Sequence, residues 1–71
     1  MSDKLVLYEV DATGTAVLTL NRADKRNALS RALIDAIGES FTRAASDAAV
    51  RSVILTGAGS VFCAGMDLAE L

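Results

Sequence analysis

The sequence predicts an α/β fold, and three observations predict it. Two runs of strand composition, Leu5–Val10 and Ala16–Leu20, are separated by the turn residues Asp11-Ala12-Thr13-Gly14. After Ser30, apolar residues recur at three- and four-residue spacing over about five turns. A short continuous apolar run, Val53-Ile54-Leu55, then ends at Gly57. Strand, amphipathic helix and apolar strand together read as a βαβ unit whose last strand is parallel and covered on both faces.

In chain order, Leu5–Val10 is rich in Leu, Val and Tyr, and Ala16-Val17-Leu18-Thr19-Leu20 repeats that composition, so the pair reads as a β-hairpin. The polar run Asn21-Arg22-Ala23-Asp24-Lys25-Arg26-Asn27 breaks the pattern and reads as an exposed loop. Ser30 suits an N-cap, and Leu33, Ile34, Ile37, Phe41, Ala44, Ala45 and Ala48 form the apolar stripe of the helix. Within it, Leu33, Ile37 and Phe41 are expected in the core, and Arg31, Asp35, Glu39 and Arg43 on the wetter side. Gly38 costs ~1 kcal/mol relative to Ala in a helix, which suggests close packing against a sheet. Asp47–Arg51 links this helix to the apolar strand.

The stretch Thr56-Gly57-Ala58-Gly59-Ser60-Val61-Phe62-Cys63-Ala64-Gly65-Met66-Asp67-Leu68 follows that strand and leads into what reads as the start of a further helix at Met66. Such a junction exposes free amides at the positive end of a helix dipole, which favours an anion or a carbonyl oxygen that is gaining charge. A substrate contact is expected here.

At 71 residues the chain is one small domain or part of a larger one. Hydrophobic residues make up 52% and aromatics 4%, so any core is built from Ala, Leu, Val and Ile, and the profile argues against disorder. No apolar run approaches the ~20 residues that span a bilayer, and Met1-Ser2-Asp3-Lys4 has no signal-peptide character, so the cytosol is the expected compartment. A net charge of −2 supplies no general attraction for nucleic acid or an anionic membrane. The single Cys63 forms no internal disulfide, and with no His the chain has neither a zinc-type cluster nor a His base.

Taken singly, the motifs leave alternatives. A phosphate loop fails because no Lys-Ser or Lys-Thr follows Gly65, and a dinucleotide fingerprint fails because Phe62 takes the place of its third glycine. Gly57, Gly59 and Gly65 also suit plain turn positions at a strand exit. Asp67 and Glu70 share a helix face as an acid–base pair would, but first-turn acids that complement the dipole are the simpler account. Cys63, beside Phe62 and Ala64, reads as a small buried hydrophobe rather than a nucleophile. Lys25 and Arg26 are either a solvated pair or partners for an anion.

Four segments together carry a resemblance that spacing does not supply. Leu20-Asn21-Arg22, Lys25-Arg26-Asn27-Ala28-Leu29-Ser30, Val53-Ile54-Leu55-Thr56-Gly57-Ala58-Gly59 and Phe62-Cys63-Ala64-Gly65-Met66-Asp67-Leu68 resemble the N-terminal part of the crotonase superfamily, the enoyl-CoA hydratase/isomerase proteins. Their order and spacing agree from about Leu7 to Leu71. Ala23 stands where the family usually has proline.

The resemblance implies a spiral of repeated ββα units that binds an acyl-coenzyme A thioester and holds its enolate in an oxyanion hole of two backbone amides. The first of these amides falls on Met66, where a backbone N–H does the work and any side chain serves. The family's coenzyme A contacts fall on Lys25, Arg26, Ala28, Ala64, Gly65, Asp67 and Leu68. Coenzyme A is part of the substrate, so no separate cofactor and no metal is implied. Full-length relatives are expected as homotrimers or hexamers. The second oxyanion amide, the catalytic glutamates and the trimer contacts of the family all lie beyond Leu71, so the chain reads as an N-terminal segment. Hydration of a trans-2-enoyl-CoA in fatty acid β-oxidation is the commonest activity implied. Isomerase, thioester hydrolase, decarboxylase and dehalogenase chemistries share this half. A truncated, non-catalytic relative with weak coenzyme A binding or a partner-association role is the alternative.

Overall fold

The computed structural model describes residues 4–67. Its elements run β1 (Val6–Val10), β2 (Thr15–Leu20), a short 3₁₀ turn (Ala23–Lys25), α1 (Arg31–Ala45) and β3 (Ser52–Gly57). The expected hairpin forms, with β1 antiparallel to β2 and Val6 opposite Leu20. Asp11 shapes its turn: one carboxylate oxygen accepts from the Thr13 amide at 2.9 Å and the Thr15 amide at 3.0 Å. β3 pairs parallel to β2 with Leu18 beside Leu55 and Leu20 beside Gly57, so the sheet order is β1-β2-β3.

Alternation along β2 turns Ala16, Leu18 and Leu20 to one face, where they are buried beneath α1 with Val6, Leu33 and Ala44. Ser30 caps the helix as expected, its hydroxyl accepting from the Leu33 amide at 3.1 Å. Among the described residues no helix is long and apolar enough to cross a membrane.

Several expectations are corrected. β3 is parallel but not covered on both faces: Val53 is 38% and Ile54 52% exposed. The cause is placement, since α1 lies over β1 and β2 while β3 has a strand neighbour on one side only. Phe41 is likewise 42% exposed, leaning off the stripe toward a groove that Val50 and Val53 also line, while Leu33 is buried and Ile37 partly so. A methyl group at Gly38 would meet nothing within 4 Å, so that glycine serves no close packing. The helix ends at Ala45, leaving Ala48 in the following turn. Finally, the Asn21–Asn27 stretch is not a simple exposed loop, because Asn27 is fully buried.

Candidate functional site

The site is built where two loops meet at the C-terminal ends of the parallel strands β2 and β3, the position at which open α/β sheets present ligand crevices. The first loop follows β2. It makes a 3₁₀ turn followed by Arg26 and Asn27, which take left-handed φ values of 55° and 56°. That reversal leaves Lys25 and Arg26 exposed and turns Asn27 inward. The second loop leaves β3 at Gly57 and runs to Asp67.

Asn27 fastens the two. Its side-chain oxygen accepts from the Arg22 amide at 2.8 Å, and its Nδ2 donates to the Ala58 carbonyl at 2.9 Å and the Val61 carbonyl at 2.8 Å. Gly57 is required beneath it: a Cβ there would stand 2.5 Å from the Phe62 carbonyl oxygen and 2.8 Å from Asn27 Nδ2. Sequence reasoning missed this role of Asn27, because a polar residue in a charged run looks solvated. The signal available was the adjoining Ala28-Leu29, which returns the chain to the core.

Beyond Phe62 the second loop runs alongside the first. The Ala64 amide donates to the Arg26 carbonyl at 3.0 Å, the Leu29 amide to the Gly65 carbonyl at 2.7 Å, and the Asp67 amide to the Leu29 carbonyl at 3.0 Å. Leu29 and Met66 thereby form a parallel bridge. Gly65, at φ 97°, lets the backbone turn into it. In this parallel bridge Leu29 makes both backbone bonds, to Gly65 and Asp67 on either side of Met66, and Met66 makes neither. Of the neighbouring amides, those of Ala64 and Asp67 are engaged as above, and that of Gly65 donates to Cys63 Sγ at 3.4 Å. The Met66 N–H has no acceptor among the described residues.

Arg22 braces the same bridge. Its Nη1 donates to the Ala28 carbonyl at 2.8 Å, and its Nη2 lies 2.9 Å from Asp67 Oδ2.

The structure thus brings together Lys25, Arg26, Ala28, Ala64, Gly65, Met66 and Asp67 on two adjacent segments. Met66 lies in a bridge rather than at a helix start, and the expected further helix, with Leu68 and Glu70, falls outside the described residues. Asp67 pairs with Arg22. Cys63 is half-buried against the core. Exposed Phe62 and Met66 side chains add apolar surface to an open ledge. Grooves of about 550 and 970 Å³ run along α1 instead and share no residue with this ledge.

Comparison with known proteins bears on the family and the fold. Residues 11–71 match the family described as Enoyl-CoA hydratase/isomerase. The chain is 38% identical over 68 residues to the probable peroxisomal enoyl-CoA hydratase 1 of Arabidopsis thaliana, covering 96% of this chain and 26% of that protein. It is 46% identical over 54 residues to enoyl-CoA hydratase EchA19 of Mycobacterium tuberculosis, covering 76% of this chain and 20% of that protein. Among solved structures, Pseudomonas aeruginosa PA4980 superimposes with a TM-score of 0.89 at 42% identity, covering 99% of this chain and 30% of that one. An enoyl-CoA hydratase of M. tuberculosis H37Rv superimposes with a TM-score of 0.86 at 47% identity, over 93% of this chain and 29% of that one. The chain therefore spans a quarter or so of the curated relatives' length. By motif, fold and these matches, it belongs to the enoyl-CoA hydratase/isomerase family of the crotonase superfamily.

Proposed function

We propose that this segment forms part of an acyl-coenzyme A site, with the Met66 amide as one donor to the thioester carbonyl during hydration of a trans-2-enoyl-CoA. The observation that carries the reading is that amide, which finds no acceptor among the described residues while its neighbours Ala64, Gly65 and Asp67 are each held by a hydrogen bond. A fixed, unpaired donor costs little reorganisation when an oxygen beside it gains charge. In hydration, water oxygen bonds to the β-carbon as one of its O–H bonds breaks and releases a proton, and the double-bond electrons move toward the thioester. Negative charge gathers on the carbonyl oxygen, and a proton then reaches the α-carbon. Removing one such donor from a complete site costs about 2.7–4 kcal/mol of barrier.

Lys25 and Arg26, both exposed, supply cations for the nucleotide phosphates of coenzyme A. Ala28, Ala64, Gly65 and Asp67 contribute main chain along the ledge, and the exposed Phe62 and Met66 side chains offer apolar surface to the acyl arm. The second amide and the acid–base carboxylates implied by the family belong to the length that the relatives have beyond this match. Binding without turnover by this chain is a second reading. It draws support from Asp67, the carboxylate next to Met66 in sequence, which is paired with Arg22.

Calorimetric titration with coenzyme A tests the assignment. Lys25→Ala combined with Arg26→Ala is expected to weaken binding at least ~10-fold, or about 1.4 kcal/mol, with an unchanged circular dichroism spectrum. Equal affinity in the double variant overturns the phosphate contact.

A further inference from the structure

The Arg22 side chain touches both sides of the Leu29–Met66 bridge. Ala28, whose carbonyl accepts from Nη1 at 2.8 Å, precedes Leu29. Asp67, whose carboxylate lies 2.9 Å from Nη2, follows Met66. One planar guanidinium therefore fastens the two strands of the bridge to each other. The bridge needs this, because it rests on two backbone bonds outside any named strand, and short isolated pairing opens more readily than a sheet interior.

Arg22 is itself held. Its amide donates to Asn27 Oδ1, and its carbonyl accepts from the Asn27 amide at 2.8 Å and the Lys25 amide at 3.0 Å. The pair with Asp67 is mostly shielded, with side-chain exposures of 18% and 14%, so salt screens it less than a surface pair. With both ends of the guanidinium engaged, Arg22 is not a third phosphate cation beside Lys25 and Arg26.

We infer that Arg22 is a positioning residue of the thioester site, which sets the direction of the Met66 N–H by pinning Asp67 to Ala28 across the bridge. The inference rests on the acyl-CoA reading of that amide. Lysine does not replace it: an ammonium is a point charge on a flexible stem, whereas the guanidinium fork holds two acceptors at fixed separation. Coenzyme A affinity depends on other side chains and is left intact.

The test uses the 71-residue chain labelled with ¹⁵N, and two probes, acetyl-CoA and coenzyme A, that differ in the acetyl group that replaces the thiol hydrogen and brings the thioester carbonyl. In the parent chain, acetyl-CoA moves the Met66 amide resonance downfield and coenzyme A does not. In Arg22→Lys and in Arg22→Gln that carbonyl-specific shift is lost, while the coenzyme A dissociation constant stays within about twofold and the Val17 and Leu18 amides keep their exchange protection. Retention of the shift in either folded variant overturns the inference. So does loss of sheet protection in both, which assigns Arg22 to stability alone. Absence of the shift in the parent chain overturns the acyl-CoA reading itself, and is seen before any substitution is made.

Discussion

Asn27 illustrates how one side chain settles the shape of the candidate site. It is fully buried, and its oxygen and amide hydrogens serve Arg22, Ala58 and Val61. Asn27→Ala strands three backbone groups, and with each loss costing about 1–3 kcal/mol the expected destabilisation is at least about 3 kcal/mol, read by urea unfolding. A loss below ~1 kcal/mol would show that water replaces it. Arg26 makes the opposite case: at φ 55° it carries backbone strain that glycine relieves. Arg26→Gly is expected to be neutral or stabilising by up to ~1 kcal/mol while weakening coenzyme A binding, a split that thermal melts and calorimetry report side by side.

Among the elements, α1 was largely legible from sequence, because the Ser30 cap and the three- and four-residue spacing are local signals. Its burial was not. Whether Phe41 and Gly38 meet anything depends on what lies beside the helix, and α1 packs mainly over β1 and β2, leaving both open. Gly38→Ala should accordingly raise stability by about 0.5–1 kcal/mol, since no neighbour lies within 4 Å of the added methyl; a destabilised variant in a melt would argue that the face is occupied. The hairpin carries a pH signature. Hydrogen bonds from the Thr13 side chain first, then the Thr15, Thr13 and Gly14 amides, hold the Asp11 carboxyl below its ordinary 3.8. A lowered folded-state value contributes stability above 3.8 that is lost as pH falls through the folded value. Asp11→Asn should therefore flatten the acid limb of the stability profile, and an identical limb in the two proteins would remove the turn from the account.

At the scale of the whole molecule, the parallel pairing of β3 with β2 followed from the β-helix-β order, whereas the meeting of the two loops did not. That meeting depends on the inward turn of Asn27 and on the Arg22–Asp67 pair, which join residues far apart in sequence. The four motifs identified the family without specifying these contacts. The outer edge of β3 carries no charged residue and no proline across Ser-Val-Ile-Leu-Thr-Gly, the features that usually discourage edge pairing. The 71-residue chain should then associate as its concentration rises, and Ile54→Lys should reduce that association in sedimentation velocity; equal behaviour of the two would place any association elsewhere.

The most direct measurement of the central claim is the infrared carbonyl band of ¹³C-labelled acetyl-CoA, free and bound to the chain at saturation. A polarising Met66 N–H lowers the bound carbonyl frequency, and replacing that amide by an ester through chemical synthesis returns the band toward its free position. Saturated binding with an unshifted band would contradict the claim and leave the ledge a coenzyme A contact alone.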